Sequence, residues 1–273
     1  MKLKKIIIVV FIAILITFAF FYYKNESVSS FNPTVLPIDI GVILQNKSLT
    51  DSDYKTLLYQ TGLGRVAIDD IMQDKDGLQE ILLFQKSYFK TPDVNCESII
   101  PFLTKQETIA EKFPLAPYKN GYILITKSTH TNIFRHGHSA IVIDAKNGKT
   151  LESLMLGTKS QTQNIDYWTS YSSFIMLRPK NIEDEELNEI ATYAQENLTD
   201  IPYKITAGLF SKFVPVEKLN ATQCSHLVWY PFKNFGYDID SDGGWLVTAK
   251  DIVNSPLLEV VQIYGVNPDS IWK

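Results

Sequence analysis

Beyond residue 24 this sequence has few basic residues: 22 Lys and Arg stand there against 30 Asp and Glu, a net charge of −8. No basic stripe is present, so nucleic acid is not an expected partner, and tight adhesion to an anionic envelope polymer is disfavoured. Cysteine is scarcer still. Cys96 and Cys224 are the two present, too few for a stapled mini-protein, and 273 residues can build a core without staples. An exported pair can also form a disulfide, and that alternative stays open. Internal repeats, H-E-x-x-H ligand patterns and low-complexity tracts outside the first 24 residues are missing. With 45% hydrophobic and 21% charged residues, a disordered chain is excluded, and one or two domains fit.

The amino end carries what the remainder lacks. Met1-Lys2-Leu3-Lys4-Lys5 precedes an uncharged apolar run from Ile6 to Tyr23, about 18 residues, close to the length of a bilayer-spanning helix. It lacks a small-residue cleavage pattern, so residues 1–24 read as an uncleaved membrane anchor, with a cleaved signal as the alternative. The basic leader predicts a cytoplasmic amino terminus and an extracytoplasmic body, single-pass on the cell membrane, or secreted if the leader is cleaved. Residues 25–40 are polar and punctuated by Pro33 and Pro37, as a tether would be.

Residues 41–118 read as a helical region. Thr50 precedes Asp51, Asp53, Tyr54, Leu57 and Leu58, a capped helix start, and Ala67, Ile68, Ile71 and Met72 give a second helical face after Gly62 and Gly64. Gln79–Phe89 is a third stretch and Ile99–Phe113 a fourth. From residue 119 to 273 the pattern changes. A turn at Pro117–Gly121 leads to a strand over Tyr122–Thr126, and His138–Asp144 is apolar on both faces, as in a central strand. Asn147-Gly148 is a hairpin turn, with a returning strand over Lys149–Leu156 and another over Phe174–Leu177. A helix follows over Ile182–Leu198, capped by Asn181 and stopped before Pro202. The whole is an α+β fold, a mostly antiparallel sheet packed on helices, with an N-terminal helical region and one transmembrane helix.

Chemistry concentrates on three residues. In Thr222-Gln223-Cys224-Ser225-His226-Leu227-Val228-Trp229-Tyr230, Thr222 can cap a helix with Cys224 in its first turn, where amide protons and the macrodipole stabilise a thiolate. His138 opens its strand, and a sheet end holds a base rigidly. Across the hairpin, Glu152 lies on the neighbouring strand, able to orient the imidazole and stabilise its charged form. A cross-strand salt bridge is the plain alternative for Glu152, and a small core residue the plain alternative for Cys224.

These residues also carry a resemblance. Gly121-Tyr122-Ile123-Leu124-Ile125-Thr126, Gly137-His138-Ser139-Ala140-Ile141-Val142-Ile143, Leu151-Glu152-Ser153 and Gln223–Tyr230 resemble the YiiX-like branch of the circularly permuted papain-like cysteine hydrolases, relatives of the NlpC-type cell-wall peptidases, over about residues 119 to 262. The resemblance implies a permuted papain-like fold with His138 as base, Glu152 as orienter and Cys224 as nucleophile, and no cofactor. Tyr122, His226 and Pro231 depart from the family pattern, and Pro231 should kink its helix.

The expected function is therefore that of an extracytoplasmic thiol hydrolase, an amidase or peptidase. Its substrate would be a cell-envelope peptide or peptidoglycan fragment, or an acyl-lipid ester handled by the same thiol. A non-catalytic anchored binding protein is the rival of another class. His130, His136 and His138 could instead hold a metal. Asp238-Ile239-Asp240-Ser241-Asp242-Gly243 copies half an EF-hand loop but meets Ala249 where a bidentate Glu belongs, so it reads as an Asx-rich turn leading to Trp245.

Overall fold

The structure, a computed structural model, describes residue 8 and residues 10–16, 30–100, 104–131, 135–209 and 219–272. The amino-terminal run corrects one expectation: among the described residues no helix is long and apolar enough to cross a membrane. Residues 10–16 are helical, a segment of about 10 Å at 1.5 Å per residue, against the ~30 Å of a bilayer core. Residues 1–7, 9 and 17–24 lie outside the described residues.

Residues 30–40, read as part of a tether, are docked on the body. Phe31 N–H donates to Gly265 O (2.8 Å), the Gln60 amide clasps Ile38 N and Leu36 O (both 3.0 Å), and Ile40 is fully buried. Four helices follow: α1 (Gly41–Leu44), α2 (Asp51–Thr61), α3 (Arg65–Ile71) and α4 (Gly77–Tyr88). Thr50 caps α2 in a reciprocal capping box with Asp53. The α2–α3 link crosses the last strand of the sheet so closely that a Cβ on Gly64 would fall 1.9 Å from Val260 O. Gly64 N–H donates to Val261 O there, at 2.8 Å.

The fourth expected helix is instead a pair of strands, β1 (Val94–Ile100) and β2 (Thr104–Ile109), which join β4 (Thr129–Thr131) in a three-stranded antiparallel sheet. Ile99, Ile100, Phe102 and Leu103 are spaced like a helical face, but β2 alternates as a mostly polar strand and pairs on both edges. Residues 101–103 lie outside the described residues.

The main sheet has six strands in the order β7-β6-β5-β3-β8-β9, every pair antiparallel. They are β3 (Ile123–Thr126), β5 (His138–Asp144), β6 (Lys149–Glu152), β7 (Gln161–Asn164), β8 (Phe174–Pro179) and β9 (Leu258–Tyr264). The central β3 and β5 are buried on both faces, as their unbroken apolar runs require. Helices α5 (Asp184–Leu198) and α6 (Cys224–Asn234) pack against β5, α7 (Ala249–Val253) against α6, and α3 against β9. The α+β class and antiparallel architecture match the sequence expectation.

Two boundaries shift. Strand β6 ends at Glu152, because a Met155–Thr158 turn redirects the chain to pair with residues 200–203. Asn181 takes a left-handed turn (φ +56°), which its short amide tolerates, and the N-cap position of α5 falls to Glu183, whose side chain makes no capping hydrogen bond.

Candidate active site

The β5–β6 hairpin sets the first pair. Its register places Ala140 opposite Glu152, which makes His138 the diagonal neighbour of Glu152 on one face. The result is a hydrogen bond of 2.8 Å between His138 Nε2 and Glu152 Oε2. The second carboxylate oxygen, Oε1, accepts from Thr150 Oγ1 at 2.6 Å and from Trp168 Nε1 at 2.8 Å. Glu152 is 2% exposed, and a buried carboxylate is tolerable only when its lone pairs are met in this way. Trp168 lies in a 3-10 turn over Ile165–Ser170, and its indole also stacks on the His138 ring, centroids 5.4 Å apart and planes 14° from parallel.

The third residue arrives from the other side of the motif. Cys224 is the first residue of α6 and half-buried, and it lies near enough to His138 for the two to shift each other's ionisation. With Nε2 engaged by Glu152, the other ring nitrogen, Nδ1, is the one left for the thiol. Thr222 does not cap this helix. Gln223 does, accepting from Ser225 N–H at 2.9 Å while its amide donates to Val247 O at 2.9 Å. Thr222 is held by backbone pairing with Pro202 and Lys204, so the longer side chain one residue on reaches the free amide. Ser225 Oγ stands 3.8 Å from Cys224 Sγ.

The electrostatics follow from these contacts. Burial alone would lower the His138 pKa, but hydrogen bonds to Cys224 and Glu152, with their charges, push it up to about 10. Burial would raise the Cys224 thiol, yet His138 outweighs it, with Ser225 and Ser139 adding, and holds the thiol below its ordinary range. Glu152, also opposed by burial, is held low by His138, Thr150 and Trp168. Each shift favours the charged form of its group: thiolate for Cys224, imidazolium for His138 and carboxylate for Glu152. Tyr203, paired through its backbone with Thr222, stays a neutral phenol because burial and the neighbouring thiolate both oppose its ionisation.

The remaining candidates fall elsewhere. His136 does not share a strand face with His138, since Gly137 turns at φ +67° and β5 begins at His138; it bonds Thr131 Oγ1 at 3.0 Å. His130 faces Cys96 Sγ (4.0 Å) and Glu107 Oε1 (3.5 Å) on the three-stranded sheet. The three histidines thus go to different partners. Among the described residues, metal-ligand spacing is found for Asp240, Asp242 and Asp251. In that turn Asp238, Asp240 and Asp242 accept in succession from the N–H groups of Asp240, Asp242 and Gly244, the Asx-rich turn expected from sequence. His226 is buried between Trp229 and Tyr230, its pKa lowered to about 4 by burial. Both cysteines are free thiols, so the disulfide alternative is not realised.

Sequence reading missed Trp168, Gln223 and Tyr203. Trp168 sits in an aperiodic stretch with no local signal; Gln223 adjoins Cys224, but Thr222 beside it is the stronger capping residue type.

No protein-family model matches the chain, and no curated protein matches it. Among solved structures it is similar to the metalloprotein yiiX from Escherichia coli O157:H7, DUF1105, with 13% sequence identity, a TM-score of 0.41, and coverage of 53% of this chain and 97% of that one.

Proposed function

We propose that this protein is a thiol hydrolase, an amidase or peptidase, using Cys224, His138 and Glu152. The observation that carries this reading is the chain of contacts from a thiol at a helix start to an imidazole and on to a buried carboxylate. An isolated structural cysteine has no use for such a base.

In the proposed mechanism the Cys224 thiolate attacks the carbonyl carbon of a bound amide, and the carbonyl oxygen takes up the negative charge. The Cys224 N–H opens α6 with no intrahelical acceptor and can donate to that oxygen, whereas Ser225 N–H is committed to Gln223; the neutral Tyr203 hydroxyl is a candidate second donor. His138 passes its proton to the leaving amine, leaving a thioester on Cys224. It then takes a proton from water as that water attacks, and the acid is released with the thiolate–imidazolium pair restored. Glu152 holds the ring tautomer and stabilises the charged imidazole throughout. The reverse order of base, orienter and nucleophile along the chain fits the permuted papain-like arrangement, which is part of the proposal.

The test is mass analysis of products after incubating the protein with cell-envelope peptides, peptidoglycan fragments and acyl esters, beside its Cys224→Ala variant. The expected result is hydrolysis of an amide substrate that disappears with Cys224→Ala. Ester cleavage alone would move the activity to acyl transfer chemistry. No turnover of any substrate, with no labelling of Cys224 by a thiol-directed probe, would leave a binding protein in its place.

A further inference from the structure

The base His138 is preceded by Gly137, whose backbone is enclosed on two sides. A Cβ placed there would fall 2.4 Å from Thr126 O and 2.4 Å from Trp272 Cη2, with Trp272 Cζ3 at 3.1 Å. The glycine therefore sits in contact with strand β3 on one side and with the six-membered ring of the Trp272 indole on the other. Its N–H donates to Thr129 O at 2.9 Å, and its φ of +67° requires glycine in any case.

Trp272 is itself tied down, and it is 8% exposed. Asn254 Nδ2, at the end of α7, donates to Trp272 O at 3.1 Å. Lys127, just past β3, donates from Nζ to Ile271 O at 3.3 Å, and its ammonium lies 5.8 Å from the centroid of the Trp272 ring. Residues 265–272 thus cross from the end of β9 to the residue before the base and press on it.

We propose that Trp272 is a positioning residue for His138, a clamp on Gly137 that fixes where the imidazole meets Cys224. This rests on the thiol–imidazole reading of the site. The first atoms of His138 follow directly from the Gly137 backbone, and the ring must satisfy Glu152 Oε2 at 2.8 Å and the Cys224 thiol together. Removing the indole opens space on one side of Gly137 and lets the turn relax toward it. A displacement of about 1 Å at a catalytic group can cost on the order of 100-fold in rate.

The experiment follows alkylation of Cys224 by iodoacetamide from pH 5 to 10, read by peptide mass spectrometry, with the exposed thiol of Cys96 as internal reference. In Trp272→Ala the ratio of Cys224 to Cys96 labelling at pH 7 should fall on the order of 10-fold, and the Cys224 profile should move toward that of His138→Ala. Trp272→Phe, which keeps an aromatic face over the glycine, should recover part of the ratio. Should Trp272→Ala fail to fold, the pair Lys127→Met with Asn254→Ala loosens the same clamp and should lower the ratio in the same direction. A folded Trp272→Ala whose melting temperature drops while its labelling ratio stays within about twofold of the parent at every pH would overturn the proposal, since a purely structural residue behaves that way. If the parent protein itself labels Cys224 no faster than His138→Ala does, the thiol reading fails, and the clamp with it.

Discussion

Replacing His138 by Ala removes the group that holds Cys224 as a thiolate, and the size of the effect follows from the site. The Cys224 thiol is lowered from its ordinary 9.0 by His138 against the opposing pull of burial. Without the imidazole, burial acts unopposed by any full charge, and the thiol moves to its ordinary value or above. A group with that value is about 1% ionised at pH 7, so the thiolate population should fall to about 1% or less. A more basic thiolate is intrinsically more nucleophilic, with a Brønsted coefficient of about 0.4–0.5, which returns roughly one factor of ten. The net expectation is a 10- to 100-fold slower alkylation of Cys224 at pH 7 in His138→Ala. In the parent the rise of rate with pH should begin at lower pH and level off sooner than in the variant, whose rate should still be climbing at pH 9. The assay is pseudo-first-order iodoacetamide labelling quantified on the Cys224 peptide, normalised to Cys96. Rates within threefold of each other at pH 7, with parallel pH profiles, would refute the reasoning.

Three further perturbations probe other contacts. Glu152→Gln keeps the shape but not the charge, so turnover should drop about 10- to 1000-fold and thiol labelling less than in His138→Ala; full activity in a steady-state assay would remove Glu152 from the mechanism. Trp168→Phe keeps a ring over His138 but deletes the donor to Glu152 Oε1, which should cost about 1.5–3 kcal/mol in urea unfolding at pH 7. That loss should shrink below pH 4.5, the ordinary value of this carboxyl, where the unfolded state also binds the proton; a pH-independent loss would contradict the charge argument. His226 is neutral in the fold, lowered from 6.5 to about 4 by burial, so below pH 6.5 the unfolded state binds a proton that the folded state refuses. Stability should decline by about 3 kcal/mol between pH 6.5 and 4 from this group, and His226→Leu should flatten that slope in denaturant titrations; an unchanged slope would show that the buried ring is hydrated.

The parts of the site legible in sequence were those governed by short-range periodicity. An apolar run beginning at His138, an Asn-Gly turn and a returning strand fix which residues share a face, and so bring His138 to Glu152. A capping residue type just before Cys224, with Leu227, Val228 and Tyr230 after it able to turn inward, likewise marks the start of α6. Contacts made across the fold left no such trace. Trp168 reaches Glu152 from a 3-10 turn with no repeating pattern, and Trp272 reaches Gly137 from more than a hundred residues away. The strands β1 and β2 were hidden because a partly polar edge sheet has little hydrophobic contrast, while the apolar residues near 99–103 imitate a helical stripe. At the helix start, residue type favoured Thr222 as cap, but tertiary pairing of its backbone gave the position to Gln223. The transmembrane expectation rested on hydropathy alone, and no helix among the described residues has the length to satisfy it.

All of the chemistry assigned to this protein depends on an ion pair between Cys224 and His138 in the resting state. Heteronuclear magnetic resonance of the imidazole nitrogens, titrated from pH 5 to 11 in protein labelled at histidine, reads that state without any substrate. The account predicts that His138 is a doubly protonated imidazolium through pH 7 to 9, that it loses its proton near 10, and that its titration moves down in Cys224→Ala. A His138 ring that is neutral at pH 7, with a titration indifferent to Cys224→Ala, would contradict it.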